Sequence, residues 1–133
     1  MTCVLDASMA LSFVLADEFT DASERALASI AADGALVPAL WEYEVLNALR
    51  FAQTRGRITD AGLTHALRGL EGLPIELYRL PLDRAHLIDL AHRLDLSVYD
   101  ASYAWLAMES ALPLATLDTR LSRAAAQAGI ELV

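Results

Sequence analysis

The sequence contains no lysine: its ten basic residues are all arginine. Any charged contact to a phosphate must therefore use the guanidinium fork, a planar donor set that grips paired oxygens. Cysteine is reduced to Cys3 alone, which excludes an intrachain disulfide and is compatible with a reducing compartment; its expected role is packing in the first strand. No apolar run approaches the ~20 residues of a membrane span, and no basic stretch followed by a signal-type segment stands near the start, so the expectation is a soluble cytoplasmic protein. Positive charge is scarce, ten basic against 18 acidic residues, and the net charge of −8 argues against a generic nucleic-acid binder with a basic surface. Carboxylates gathered in one site and holding divalent cations would, however, present a local field different from the chain average. Interdomain linkers, internal repeats and low-complexity segments are also lacking. What is present is 133 residues at 56% hydrophobic composition, enough for one domain over 1–133 around a single core.

Short apolar runs alternate with segments of helical period. Thr2 to Leu5 reads as a buried strand, and Asp6-Ala-Ser8 supplies capping side chains for a helix through Leu15. A connection at Asp17 to Thr20 leads to a helix from Asp21 to Ala32, with Glu24 in a capping-box-like position and Gly34 as its stop. Ala35 to Val37 forms a strand ended by Pro38. Trp41, Val45, Leu49 and Ala52 then make the buried stripe of a third helix, Leu40 to Thr54. Thr59 caps a fourth helix to Leu70, a strand follows at Ile75 to Tyr78, and Asp83 caps a fifth helix with Leu87, Leu90, Ala91 and Leu94 inward. A sixth helix opens at Ser97-Val-Tyr-Asp100 and runs to Ser110. Leu114 to Thr116 is a strand, Asp118 to Ala128 the last helix, and Ile130 to Val133 a terminal strand. Strands separated by helices predict an α/β fold with a parallel sheet covered on both faces, and a ligand site beyond the carboxyl ends of the strands.

Acidic residues occupy the positions to which that rule points. Asp6 follows the first strand, Asp118 follows the Leu114 to Thr116 strand, and Asp100 opens a helix. Each taken alone is explained by helix capping or by the helix dipole, worth roughly 0.3–1 kcal/mol. Glu44 resists that explanation: it shares a helix face with Asn47 and Ala48 beside the apolar stripe, whereas Glu42 points elsewhere. Four converging carboxylates would repel one another and oppose folding unless cations offset the charge. Oxygen-only ligands, with no cysteine cluster, select magnesium or manganese over zinc. His65, His86 and His92 all fall within helices and read as surface or packing residues. Ser8 and Thr116 add hydroxyls that can orient carboxylates or serve merely as cap and turn groups.

Val4-Leu5-Asp6-Ala7-Ser8, Pro38 to Trp41 with Glu44 to Leu49, Tyr99-Asp100-Ala101-Ser102-Tyr103 with Leu106-Ala107, and Leu114-Ala115-Thr116-Leu117-Asp118 follow in order over essentially the whole chain. In this series the sequence resembles the PIN-domain ribonucleases, and among them the VapC-type toxins of bacterial type II toxin-antitoxin systems. The resemblance implies a three-layer PIN-like fold, with four to five short parallel strands flanked by about seven helices. It also implies a magnesium- or manganese-dependent endoribonuclease that hydrolyses RNA to a 5′-phosphate and a 3′-hydroxyl, a homodimer, and inhibition by a small antitoxin protein. Carried over position by position, the catalytic and metal-binding acids are Asp6, Glu44, Asp100 and Asp118, with Thr116 as the hydroxyl of a Thr-x-Asp motif. Arg50, Arg55 and Arg57, and also Arg120 and Arg123, are candidates for RNA contact, and Phe13, Leu15 and Phe19 for an antitoxin helix.

Three other readings compete. A phospho-acceptor module also gathers aspartates at strand ends but needs a late lysine, which this chain lacks. A catalytically silent PIN-like binding module would carry the electrostatic cost of the acids without using them. A structure-specific DNA nuclease of the same type is expected to be longer, with extra docking elements.

Overall fold

The computed structural model describes residues 1–133 and has the element order β1 (Cys3–Leu5), α1 (Ala7–Val14), a 3₁₀ turn (Ala16–Glu18), α2 (Asp21–Asp33), β2 (Ala35–Pro38), α3 (Leu40–Thr54), α4 (Asp60–Glu71), β3 (Ile75–Tyr78), α5 (Arg84–Leu94), α6 (Val98–Ser110), β4 (Leu114–Ala115) and α7 (Thr119–Gln127). The four strands pair in parallel in the order β3-β2-β1-β4. Parallel neighbours require crossovers, and these are right-handed almost without exception. From β1 through β2 to β3 the chain steps in one direction, so α1 to α4 cover one face. From β3 it returns past β1 to β4, so α5 to α7 cover the other. This is the α/β sandwich expected from the alternation of strands and helices.

The crossovers also fix the place where the chain order reverses. β1 leads toward β2 while β4 leads away from it, so the carboxyl ends of β1 and β4 border the crevice left between their departing chains. Asp6 directly follows the one strand, and Thr116 to Asp118 follow the other.

One contiguous core joins both faces. Trp41, Val45, Leu49 and Ala52 are all buried, as their spacing predicts. Helix α6 differs: residues 101 to 107 are buried without interruption, because it lies directly on β1 and β2 with α5 and α7 on its flanks. A helix enclosed on all sides shows no amphipathic stripe.

Three local expectations are corrected. The cap of α2 is Thr20, one residue before the expected Asp21, and its box partner is Ser23: the Ser23 amide donates to Thr20 Oγ1 at 3.1 Å, and the Thr20 amide donates to Ser23 Oγ at 3.1 Å. Ser23 is fully buried and bonded to Ser12, which fixes it there, whereas a glutamate at 24 points to solvent. The terminal strand contracts to a single bridge, Leu114 to Leu132. Its partner β4 is only two residues long before the chain turns toward Thr116, so there is no longer edge to pair. Leu15 is core, 4% exposed, and so is not available to a docking helix, although Phe13 and Phe19 are partly or well exposed.

Candidate active site

Asp6 stands at the N-cap of α1, yet its carboxylate makes no capping hydrogen bond. The backbone is committed to both neighbouring elements: its amide donates to the Ala115 carbonyl at 3.0 Å, and its carbonyl accepts from the Ala10 amide at 3.1 Å. The side chain instead meets two hydroxyls. Ser8 Oγ donates to Asp6 Oδ2 at 2.5 Å and Thr116 Oγ1 donates to the same oxygen at 2.6 Å. Each hydroxyl carries one proton, so with both directed to Asp6 the 3.2 Å Ser8–Thr116 contact is a meeting of acceptors. Those hydroxyl oxygens in turn accept backbone amides, Leu117 on Ser8 at 2.9 Å and Asp118 on Thr116 at 3.0 Å. The carboxylate is thus locked by Oδ2 while Oδ1 accepts nothing from the protein, although Asp6 is only 5% exposed.

The other three acids are placed by helix starts. Asp118 is a true cap, its Oδ1 accepting the Leu121 amide at 2.8 Å, and it is exposed. Asp100 lies in the first turn of α6, where Ser97 takes over the capping by accepting the Asp100 amide at 3.1 Å. Glu44, in the second turn of α3, is held by Tyr103, whose hydroxyl donates to Glu44 Oε1 at 2.7 Å. Glu42 is exposed, as its position predicts.

The acids feel one another. Burial raises the Glu44 carboxyl above its ordinary value, Asp6 and Asp100 raise it further, and the Tyr103 hydrogen bond opposes them. Burial likewise raises Asp100, reinforced by Asp118 and Asp6 and opposed by the Ser97 hydrogen bond and by Arg120. The Tyr103 phenol is raised by burial and by Glu44, so it remains a donor at neutral pH. All four predicted acids are therefore brought into one electrostatic group, but no three acidic, cysteine or histidine side chains are close enough together to form a finished ligand sphere. The group is made only of oxygen donors, two of its carboxylates are held more protonated by burial and, after it, by the neighbouring acids, and Asp6 presents an unbonded oxygen. That chemistry fits a hard divalent cation, which takes oxygen ligands and relieves the repulsion.

A sign follows for stability. Glu44 and Asp100 bind protons more tightly in the folded chain than in the unfolded one, so folding loses free energy as pH rises from their ordinary values of 4.5 and 3.8 through the raised ones. Asp100→Asn is expected to melt a few degrees above the wild type at pH 7 in chelator, with the gain vanishing near pH 4 and shrinking when magnesium is added. Thermal melts across pH check this; an unchanged or lower melting point at pH 7 would contradict it.

Tyr103 was the functional neighbour given no role by sequence reasoning. The available signal was its place three residues after Asp100, a buried aromatic whose polar tip needs a partner. Among the arginines, Arg120 is close enough to Asp100 to act on it, and pairs with Asp95 at 3.3 Å. Arg123 lines the same shallow concavity as Arg120 and makes no ion pair. Arg50, Arg55 and Arg57 lie toward the other end of α3, where Arg57 pairs with Asp17 at 2.9 Å, Arg50 bonds to Gln53 and Thr54, and Arg55 covers the Phe51 ring. The three histidines are exposed, and His86 packs edge-on against Trp105. Cys3 is fully buried in β1, which pushes its thiol up to about 11, consistent with packing alone.

The sequence profile of the PIN domain matches residues 3–127. The chain therefore belongs to the PIN domain family, whose members are as a class metal-dependent nucleases that generally use divalent ions. Among solved structures it is similar to the crystal structure of PAE2754 from Pyrobaculum aerophilum, with a TM-score of 0.68 and 22% identity over 93% of this chain and 84% of that one. That likeness concerns the fold. No curated protein matches the sequence. No helix is long and apolar enough to cross a membrane.

Proposed function

We propose that this PIN-domain protein is a divalent-metal-dependent endoribonuclease of VapC type, the toxin of a toxin-antitoxin pair. The observation that carries the nuclease site is the behaviour of Asp6: a residue at a helix cap that does not cap, held instead by Ser8 and Thr116 at the end of β1 with one oxygen left free. Asp6, Asp100, Asp118 and Glu44 would hold magnesium or manganese. When bound, that ion supplies charge stabilisation at the phosphoryl oxygens and a more acidic water, effects of several kcal/mol in related chemistry.

The residues of the chain account for the rest. Ser8 and Thr116 fix the direction of Asp6, and the Thr116 hydroxyl, by accepting the Asp118 amide, ties the two aspartates into one rigid corner. Tyr103 sets the position of Glu44. Arg120 and Arg123 beside the site are the guanidinium groups best placed for the phosphate backbone of RNA. The VapC assignment rests on the order of the four sequence blocks, and with it come a homodimer, a cytoplasmic setting and a cognate antitoxin. Phe13 and Phe19, which border a concavity between α1, the 3₁₀ turn and α4, are the surface for an antitoxin helix.

Matched RNA and DNA hairpins, incubated with the purified protein and magnesium or manganese and again with chelator, test this reading. Cleavage confined to RNA and abolished by chelator is the expected result. Equal cleavage of the DNA hairpin would make the protein a structure-specific DNA nuclease, and no cleavage of either would favour a silent binding module.

A further inference from the structure

A second feature lies at the other edge of the sheet. Helices α3 and α4 and the edge strand β3 enclose a cavity of about 260 Å³, walled by Val45, Leu67, Leu70 and Leu77 among nine hydrophobic residues. Trp41 forms part of the wall. It is 4% exposed, and its indole Nε1 is the one buried side-chain polar atom of the protein without a hydrogen-bond partner. The other indole, Trp105, donates to Glu109. A buried donor is normally satisfied, so the Trp41 ring that lines this cavity is packed there at the cost of an unmet polar atom on its buried side.

The rest of the lining is charged in one sense only. Glu42 and Glu71 are the two remaining wall residues, and no arginine lines the cavity. Glu71 is also the last residue of α4, where the helix dipole disfavours an acid, so local helix stability does not explain it. At the mouth Leu46 and Leu77 stay 48% and 40% exposed.

We propose that this cavity is a docking site for an extended, cationic segment of a partner polypeptide. One apolar side chain of that segment enters between α3 and α4 and packs against the Trp41 ring, and flanking arginine or lysine side chains meet Glu42 and Glu71. The neighbouring edge strand β3 gives an extended segment a backbone to lie along. The volume is below the ~300–1,000 Å³ common for small-molecule pockets, which suits a single anchor side chain. A second copy of this chain is the poorer occupant, because symmetric docking would set Glu42 and Glu71 against their own copies in a protein of net charge −8. The site is separate from the concavity at Phe13 and Phe19: Leu67, Leu70 and Glu71 of α4 face this cavity, whereas His65 and Gly69 face the other. Its occupation does not depend on nuclease activity.

The chain has only two tryptophans, so ¹⁵N-labelled protein gives two indole signals, assigned with Trp41→Phe. The probes are three five-residue capped peptides: arginine alternating with leucine, glutamate alternating with leucine, and arginine alternating with serine. The arginine-leucine peptide is expected to shift the Trp41 indole signal saturably, leave Trp105 unmoved, and bind at least tenfold more tightly than either control. Glu42→Gln with Glu71→Gln, both exposed positions, should weaken it about tenfold without changing the Trp41 signal of the free protein. Equal binding of the acidic or the serine peptide, a shift confined to Trp105, no shift at millimolar peptide, or a Trp41 shift produced by protein concentration alone would overturn the proposal.

Discussion

Asp6→Asn is expected to lower RNA cleavage at least about 100-fold while leaving the melting temperature within a few degrees of the wild type. Asparagine keeps the shape of aspartate, and its carbonyl oxygen can still accept from Ser8 and Thr116, so the corner between β1 and β4 stays assembled. What is lost is the charge on the oxygen that the protein leaves unbonded. Comparison with Ser8→Ala separates holding from binding: it removes one of two donors to Oδ2 and should cost less, roughly tenfold, a loss partly recovered by raising the metal concentration. Cleavage assays at fixed RNA and graded magnesium measure both. Undiminished cleavage by Asp6→Asn would remove Asp6 from the site.

The largest stability loss from a single methyl group is expected at Gly34. This residue joins α2 to β2 at φ +78° and ψ 174°, a backbone region open in practice only to glycine. An added Cβ would also stand 2.8 Å from the Pro74 carbonyl oxygen. That carbonyl accepts the Ala35 amide at 3.1 Å and begins the pairing of β2 with β3, so it cannot retreat without opening the first rung. Gly34 also accepts the Thr2 amide at 2.9 Å, beside β1. Strain and clash together should cost about 2–4 kcal/mol for Gly34→Ala, a fall on the order of 10 °C in a domain of this size. Gly56 has a similar φ of +72° but open space around it, so Gly56→Ala should lose only about 1 kcal/mol. Calorimetry of the two variants decides the matter: equal losses would show that the Pro74 contact contributes nothing.

The parts of the fold legible in the sequence are those governed by one-sided burial and by caps. The stripe of α3 and the caps Thr59, Asp83, Ser97 and Asp118 are local signals, and each is realised. Where tertiary contacts decide, the sequence is mute. Ser23 displaces the expected box of α2 because Ser12, eleven residues earlier, holds it in the core. The last strand is reduced to a bridge by the shortness of its partner, which no property of Ile130 to Val133 reveals.

The acids divide along the same line. Asp118 behaves as its local context predicts, as a cap. Asp6 has the same sequence credentials and behaves otherwise, because two hydroxyls hold its carboxylate, and only that of Ser8 is local; the other comes from Thr116, 110 residues later. The arginines show it again: Arg57 is taken up by Asp17, while Arg120, paired with Asp95, stands near enough to Asp100 to act on its carboxyl, a difference that sequence spacing does not contain.

That distance between Asp6 and Thr116 has a consequence for when the site exists. Its two aspartates at the sheet corner belong to opposite ends of the described chain, and they meet only once β4 has been laid beside β1. Closing so long a loop comes late in folding, since its entropy must be offset by contacts made elsewhere first. A chain still emerging from a ribosome, with Leu114 to Asp118 not yet released, holds Asp6 and Glu44 but no assembled corner. On the proposed ribonuclease reading, the order of the strands keeps the site unassembled while the chain's own message is being translated.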